Sequence, residues 1–455
     1  MPQISVILPS LNVSQYIGTC IESVFSQGIK DIEVLAVDAG STDGTKEILE
    51  RYAHKHSNMK FIQSDVRSYG HQMNLGLNAA IGDYIFFLET DDLLKDGALQ
   101  QLLSVAVDNP TLDFVKGYAE GFFDLFQGGV YDIDLSPYGA PKDLRGQIIC
   151  PADMPSLLYD DIFHWLGLYR REFLKNIRFN ETAGAAFQDQ GFLLQTLSKS
   201  KEAMYVDIPV YRYRQNNPGS SIYQPKGFGN ILQEYRLNEH YLSGLSNDWK
   251  QVFYRRMLEQ TLTRYRMMAL SGRFWKDVQH VIEEIRLYLC QAEAKGLLSV
   301  DIFNDGQRIF WHALKEDTFK PFEDLSKKYS NTMDKLWSIV SWVRNREVVI
   351  YGAGNWGKYI QAFLLIQHVG DVRCFADQSK DLQGTKVQGT VVLSPEDALR
   401  DYHEAHYLIA NARYSDEIFS YLIQAGIPEN HIIAPKIIVD YMMFLADFNT
   451  GSDKL

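Results

Sequence analysis

The chain has 455 residues, more than one ordinary domain needs, and 46% are hydrophobic, enough for several sizeable cores. Its formal charge is −12, from 45 basic and 57 acidic side chains, which argues against a dedicated nucleic-acid binder with a basic face. The four cysteines, Cys20, Cys150, Cys290 and Cys374, are widely spaced with no C-x-x-C pair, so reduced thiols are expected rather than a disulfide framework or a zinc site.

"MPQISVILPSLN" has no basic n-region and starts directly in a strand. No run of about 18 apolar residues is present, so a cytoplasmic protein is expected. In chain order, "ISVILPS" reads as a strand over 4–10 and the spacing over 15–27 as a helix. A strand over 32–40, a capped helix from "STDGTKEILERYAHKH" and a strand over 59–64 follow. A helix over 72–80 leads into a buried strand over 84–88, which stops at Glu89, Asp91 and Asp92. Such alternation implies an α/β fold with a mostly parallel sheet, whose ligands sit at the carboxyl ends of the strands. Asn12, Asp38 and the three acids lie at that edge.

Residues 117–219 are mixed in pattern and close on the loop "QNNPGSS" over 215–221, read as the end of the first domain. From 227 to 346 the chain is helical, with two amphipathic stretches that each end in glycine. Arg255, Arg256, Arg264 and Arg266 on the first are expected on a solvated face, with contact to anionic lipid or an anionic acceptor as the alternative. From 347 strand, glycine loop and helix return as a small Rossmann-like unit. The expected division is therefore 1–222, 223–344 and 345–455.

Two features carry chemistry in the first part. Asp38 ends a strand before Gly40, Ser41 and Thr42; its carboxylate could accept from a nucleobase or a ribose, or simply cap an ordinary turn. In "ETDD", Glu89 and Asp91 point the same way in an extended segment. A divalent cation, Mg²⁺ or Mn²⁺, could hold both and bridge a diphosphate; without one, the pair is costly or one acid keeps its proton. Read alone, a D-x-D-like pair is more often a solvated turn.

Taken together, "ISVILPSLN", "VDAGSTDGT", "NLGLNAAIGDYIFFLETDD" and "WLGLYRREFLKNIRFNE…FQDQGF" resemble the family 2 glycosyltransferases of GT-A fold, over about the first 220 residues. The resemblance implies a nucleotide-sugar donor held by Pro9, Asn12, Asp38, Arg67, Glu89, Thr90, Asp91 and Arg214. It implies Asp91, with Glu89, as ligands of Mn²⁺ or Mg²⁺, and Asp189 as the base of an inverting transfer. It puts His164 and Trp165, ahead of an expected "LGLYRREFL" helix, on the acceptor side. Arg212 and Arg214 would reach the diphosphate when the 215–221 loop closes. The chain departs from the family's pattern at Ala39, at Glu89 and at Met73, where an arginine is usual and Arg67 would substitute.

In the last part, "YGAGNWG" supplies Gly352, Gly354 and Gly357, with Asp377 at the end of the next strand. This context fits a dinucleotide fingerprint, although Trp356 inside it is bulky. The segment is similar to the small Rossmann domain that precedes bacterial sugar O-acyltransferases, which implies nucleotide or sugar-nucleotide binding or an assembly role rather than redox chemistry. The expected activity is transfer of a hexosyl or N-acetylhexosaminyl group from a UDP-sugar or similar donor. The acceptor would be a hydroxyl of a bacterial surface polysaccharide or glycoconjugate: glycan, lipid-linked or protein-linked. The alternatives are a non-catalytic sugar-nucleotide scaffold and a bifunctional enzyme with NAD(P) chemistry. The reading leaves room for peripheral contact with the inner face of the membrane and for homo-oligomers.

Overall fold

β1 (Ile4–Ser10) is buried along its whole length, as parallel strands are when helices cover both faces of a sheet. The structure, a computed structural model, describes residues 3–124, 130–133, 142–161, 163–184, 187–214, 217, 226–270, 273–411 and 413–434. The 215–221 loop, apart from Asn217, and the expected boundary at 222/223 lie outside the described residues. After β1 come α1 (Ile17–Phe25), β2 (Ile32–Asp38), α2 (Thr45–Lys55), β3 (Met59–Gln63), α3 (Tyr69–Ala79) and β4 (Tyr84–Phe87). The order matches the alternation read from the sequence. One boundary moves: α3 starts at Tyr69, three residues early, because Ser68 Oγ accepts from the backbone N–H of His71 at 3.2 Å and caps the helix.

β5 (Leu93–Leu94), α4 (Ala98–Asp108), β6 (Phe114–Asp124), β7 (Val130–Ile133), β8 (Ile148–Ile149), α5 (Leu157–Asp160), β9 (Gly167–Arg170), α6 (Gln188–Lys199) and β10 (Ala203–Arg214) complete a 10-stranded sheet. Its order is β3-β2-β1-β4-β9-β6-β10-β5, with β7 on β6 and β8 on β10. β1 to β4 pair in parallel, and β9 runs antiparallel to both β4 and β6. This corrects the expected "LGLYRREFL" helix. Residues 167–170 fill the slot between two strands whose backbone groups need partners, and helical geometry is confined to the short 3-10 turns His164–Leu166 and Phe173–Asn176 at either end. Gly167 permits the fit, since a Cβ there would stand 2.6 Å from the stem of Lys116.

The helical region consists of α7 (Gly227–Asn238), α8 (Asn247–Leu270), α9 (Gln279–Ala294), α10 (Asp305–Glu316) and α11 (Lys320–Val343). One apolar core runs from the sheet into these helices, from Ile4 and Phe86 through Met257 and Tyr265 to Trp311. α8 lies within that core, so the solvated-face reading of its arginines is overturned for Arg256 and Arg264, which are 7% and 3% exposed. Arg255 is held to Gln307 and over the Tyr159 ring, and Arg266 stands 3.8 Å from Glu259. α11 ends in a second core, through Ile339, Val340 and Val343.

That core belongs to a 6-stranded sheet, built from β11 (Glu347–Tyr351), α12 (Asn355–Ile366), β12 (Asp371–Ala376), β13 (Lys386–Val387), β14 (Thr390–Leu393), α13 (Pro395–Asp401), β15 (His406–Ile409), α14 (Ser415–Gln424) and β16 (Ile432–Ile433). The strand order is β13-β14-β12-β11-β15-β16. Among the described residues, no helix is long and apolar enough to cross a membrane.

Candidate active site

β1, β2 and β4 end on one edge of the large sheet, and their last residues interlock. Asn12, at φ +54°, receives the Thr42 N–H on its side-chain oxygen at 2.9 Å, and its own N–H donates to Ser41 Oγ at 2.9 Å. Thr90 Oγ1 donates to the carbonyl of Pro9 at 2.8 Å, which fixes the "ETDD" turn onto the end of β1. Asp38 is fully buried and accepts from the N–H groups of Gly40 and Ser41 at 2.9 and 3.0 Å and from the Ser41 hydroxyl. Its carboxylate therefore caps the β2–α2 turn. Arg67 donates to the Gly40 carbonyl at 3.2 Å, so it does stand over the same turn. Burial would raise the acid of Asp43 nearby, but hydrogen bonds from Thr45 and Ser14 outweigh it and hold the group at about 2.

The acids of "ETDD" separate into different roles. Asp92 is 1% exposed and accepts the Arg214 backbone N–H at 2.7 Å. Burial, then the Asp91 charge, push its carboxyl well up. Asp91 is partly open and accepts from the Asn217 side chain at 2.6 Å. Glu89 accepts a short hydrogen bond from the Tyr69 hydroxyl, which also lies 2.9 Å from His164 Nε2. Burial raises the Glu89 carboxyl to about 8; Tyr69 opposes the shift, and the charges of Asp91 and Asp189 add to it. Asp189 thus acts on the same acid from another element.

α6 presents Asp189 in its first turn, after Phe187 reverses the chain at φ +68°. Burial raises the Asp189 carboxyl, opposed first by Arg256 of α8 and then by a hydrogen bond from the Gln190 side chain at 3.0 Å. Arg256 in turn donates to Gln190 Oε1 and to the Leu158 carbonyl. The segment before α6 is fastened from α7, where buried Glu234 accepts from Asn180 and Thr182.

The acceptor-side pair is interior. Trp165 is 6% exposed and stacked 4.0 Å from Tyr211, so it offers no open platform. His164 is 3% exposed among Phe87, Phe179 and Phe192. Burial, then the Lys116 charge, lower its pKa to about 3. Arg214 is 6% exposed, donates to the Asp91 carbonyl and Asp124, and lies 4.4 Å from the rings of Tyr16 and Phe122. It braces the acidic turn. Sequence reasoning missed Tyr69 and Tyr211, whose hydroxyls meet Glu89; a tyrosine directly after a capping serine was the available signal for the first. Among the described residues, no three His, Cys, Asp or Glu side chains are grouped to hold a metal ion by themselves.

In the C-terminal unit, Gly357 packs so closely that a Cβ would lie 2.0 Å from the Gly352 carbonyl oxygen. Gly354 precedes α12, and Asp377 accepts from the N–H groups of Ala353 and Ser379 at 2.7 and 2.8 Å. Trp356 packs against the second core.

A sheet of this order with acids gathered at its carboxyl edge defines a GT-A-like glycosyltransferase fold, and residues 5–145 match the family model Glycosyl transferase family 2. Residues 5–145 thus resemble a glycosyltransferase domain of that family. EpsJ of Bacillus subtilis (strain 168), an uncharacterized glycosyltransferase, is 28% identical over 304 residues, covering 63% of this chain and 84% of its own. EpsH of the same organism, also named as a glycosyltransferase, is 29% identical over 53% of this chain and 69% of its own. The crystal structure of Staphylococcus aureus TarS 1-349 with UDP-GlcNAc shares the fold, with a TM-score of 0.53 at 18% identity, over 73% of this chain and 92% of that one. Residues 344–433 match a different family model, C2185-like, N-terminal, a description that says nothing of acyltransferases.

Proposed function

We propose that the chain is an inverting, metal-assisted glycosyltransferase that moves a sugar from a nucleoside-diphosphate donor to a hydroxyl of a surface polysaccharide or glycoconjugate. The observation that carries this reading is the joint action of Asp91 and Asp189 on Glu89, which supports one acidic site at the carboxyl edge of the sheet. In the proposed step the acceptor hydroxyl gives its proton to the Asp189 carboxylate while its oxygen attacks the anomeric carbon. The bond from that carbon to the diphosphate oxygen breaks, and the nucleoside diphosphate leaves on the opposite face. A carboxyl raised by burial makes the ionised Asp189 a stronger base than an exposed aspartate.

The donor set near the turn is oxygen only, which fits Mg²⁺ or Mn²⁺. Asp91 would hold the ion, with Glu89 beside it, and the ion would supply positive charge against the leaving diphosphate. Asn12, Asp38, Pro9 and Thr90 shape the wall of the donor site through backbone and turn contacts rather than free charge. UDP is the favoured nucleotide because the TarS structure of like fold carries UDP-GlcNAc. Action at the inner membrane face belongs to the same proposal. A thermal-shift screen of UDP-, GDP- and dTDP-sugars with and without Mn²⁺ tests this. A shift with one nucleotide class that chelator abolishes is expected; equal shifts with and without the ion would remove the metal from the account.

A further inference from the structure

The small sheet changes its direction of winding between β11 and β15, the place where such sheets take ligands. A cavity of about 430 Å³ opens there, lined from both sides by Tyr351 and Asn411. We propose that this cavity is a carbohydrate site, which takes an uncharged mono- or disaccharide and not the dinucleotide its glycine motif suggests.

Three observations carry the proposal. The acid of the fingerprint is engaged in holding its surroundings, because each Asp377 oxygen accepts one backbone N–H, from Ala353 of the glycine loop and from Ser379, which halves the acceptor sites left for a ribose. The lining holds two carboxylates, Asp377 and Glu417, and among the described residues no lysine or arginine, so a diphosphate would meet like charge. The adjacent Arg413 is folded over the Tyr414 ring at 5.3 Å. The remaining wall is what a sugar needs. Tyr414, 45% exposed, and the half-buried Tyr421 line the opening, and Tyr351, 4% exposed, backs Tyr421 edge to face at 6.4 Å. The Tyr414 and Tyr421 rings offer apolar faces to the C–H side of a pyranose and hydroxyls to its rim. Gln378, Asn411 and Glu417 add planar amide and carboxylate groups that can pair with neighbouring sugar hydroxyls. The volume lies at the small end of ligand cavities, roughly 300–1,000 Å³, which suits one or two sugar rings better than two nucleotides.

The site is separate from the N-terminal one, so either reading can fail alone. Saturation-transfer NMR on the full chain, with maltose, lactose, cellobiose and N,N′-diacetylchitobiose in turn and NAD⁺ in parallel, tests it. At least one disaccharide is expected to bind at millimolar concentration. Glu417→Gln and Tyr414→Ala, both at exposed positions and checked by circular dichroism, should each weaken that binding about tenfold or more, while Asp91→Asn leaves it unchanged. The proposal is overturned if no disaccharide binds, if binding follows Asp91 rather than Glu417, or if NAD⁺ binds and is weakened by the same two variants.

Discussion

Tyr69 has one hydroxyl hydrogen and two neighbours that compete for it, Glu89 and His164. While Glu89 is ionised, Tyr69 donates to it and His164 must donate through Nε2, leaving bare its Nδ1, which has no hydrogen-bond partner among the described residues. A protonated Glu89 lets the run reverse. The state of the turn is thus coupled to a buried imidazole. That imidazole also sets a stability limit. Its folded pKa of about 3 lies below the ordinary 6.5, so below pH 6.5 only the unfolded chain takes the proton, and stability falls until about pH 3. His164→Phe should flatten this acid limb by roughly 1–3 kcal/mol, read as melting temperature against pH. Asp189→Asn should lower the transfer rate by about 10²–10⁴-fold with donor binding retained; an unchanged rate would remove Asp189 as the base.

At the scale of elements, α8 sets the charge felt by α6. Arg256 faces Asp189 and opposes its raised carboxyl, so Arg256→Met should push that carboxyl further up. The acid limb of the rate profile should then move to higher pH, with a stability loss of about 1–3 kcal/mol from the hydrogen bonds removed. A profile that stays in place would break the link. The early strands and helices were legible because their periodicity is local. β9 was not, since its pattern also fits a helix and the neighbours that make it a strand are β4 and β6. The acids of the candidate site could be singled out through their motif, but their partners could not. Tyr69 meets His164 across 95 residues, and Tyr211 meets Glu89 across 122. The buried arginines of α8 were hidden for the same reason, since nothing in their own helix names what packs over it.

At the scale of the whole chain, α11 joins two cores: Phe322 and Leu325 pack on the first, and Ile339, Val340 and Val343 on the second. Removal of residues 345–455 should therefore expose an apolar helix end and cause self-association, visible by light scattering, whereas replacing those three residues by serine in the truncated chain should restore a monodisperse sample. The helices 227–316 are a different matter, because they share the core of the sheet and reach the segment that carries Asp189 through Glu234 and Arg256. The glycosyltransferase part is consequently not a cassette that can be lifted out and recombined at residue 222. A chimera that borrows another protein's helices would inherit a foreign tuning of Asp189, and a productive crossover would have to fall within α11.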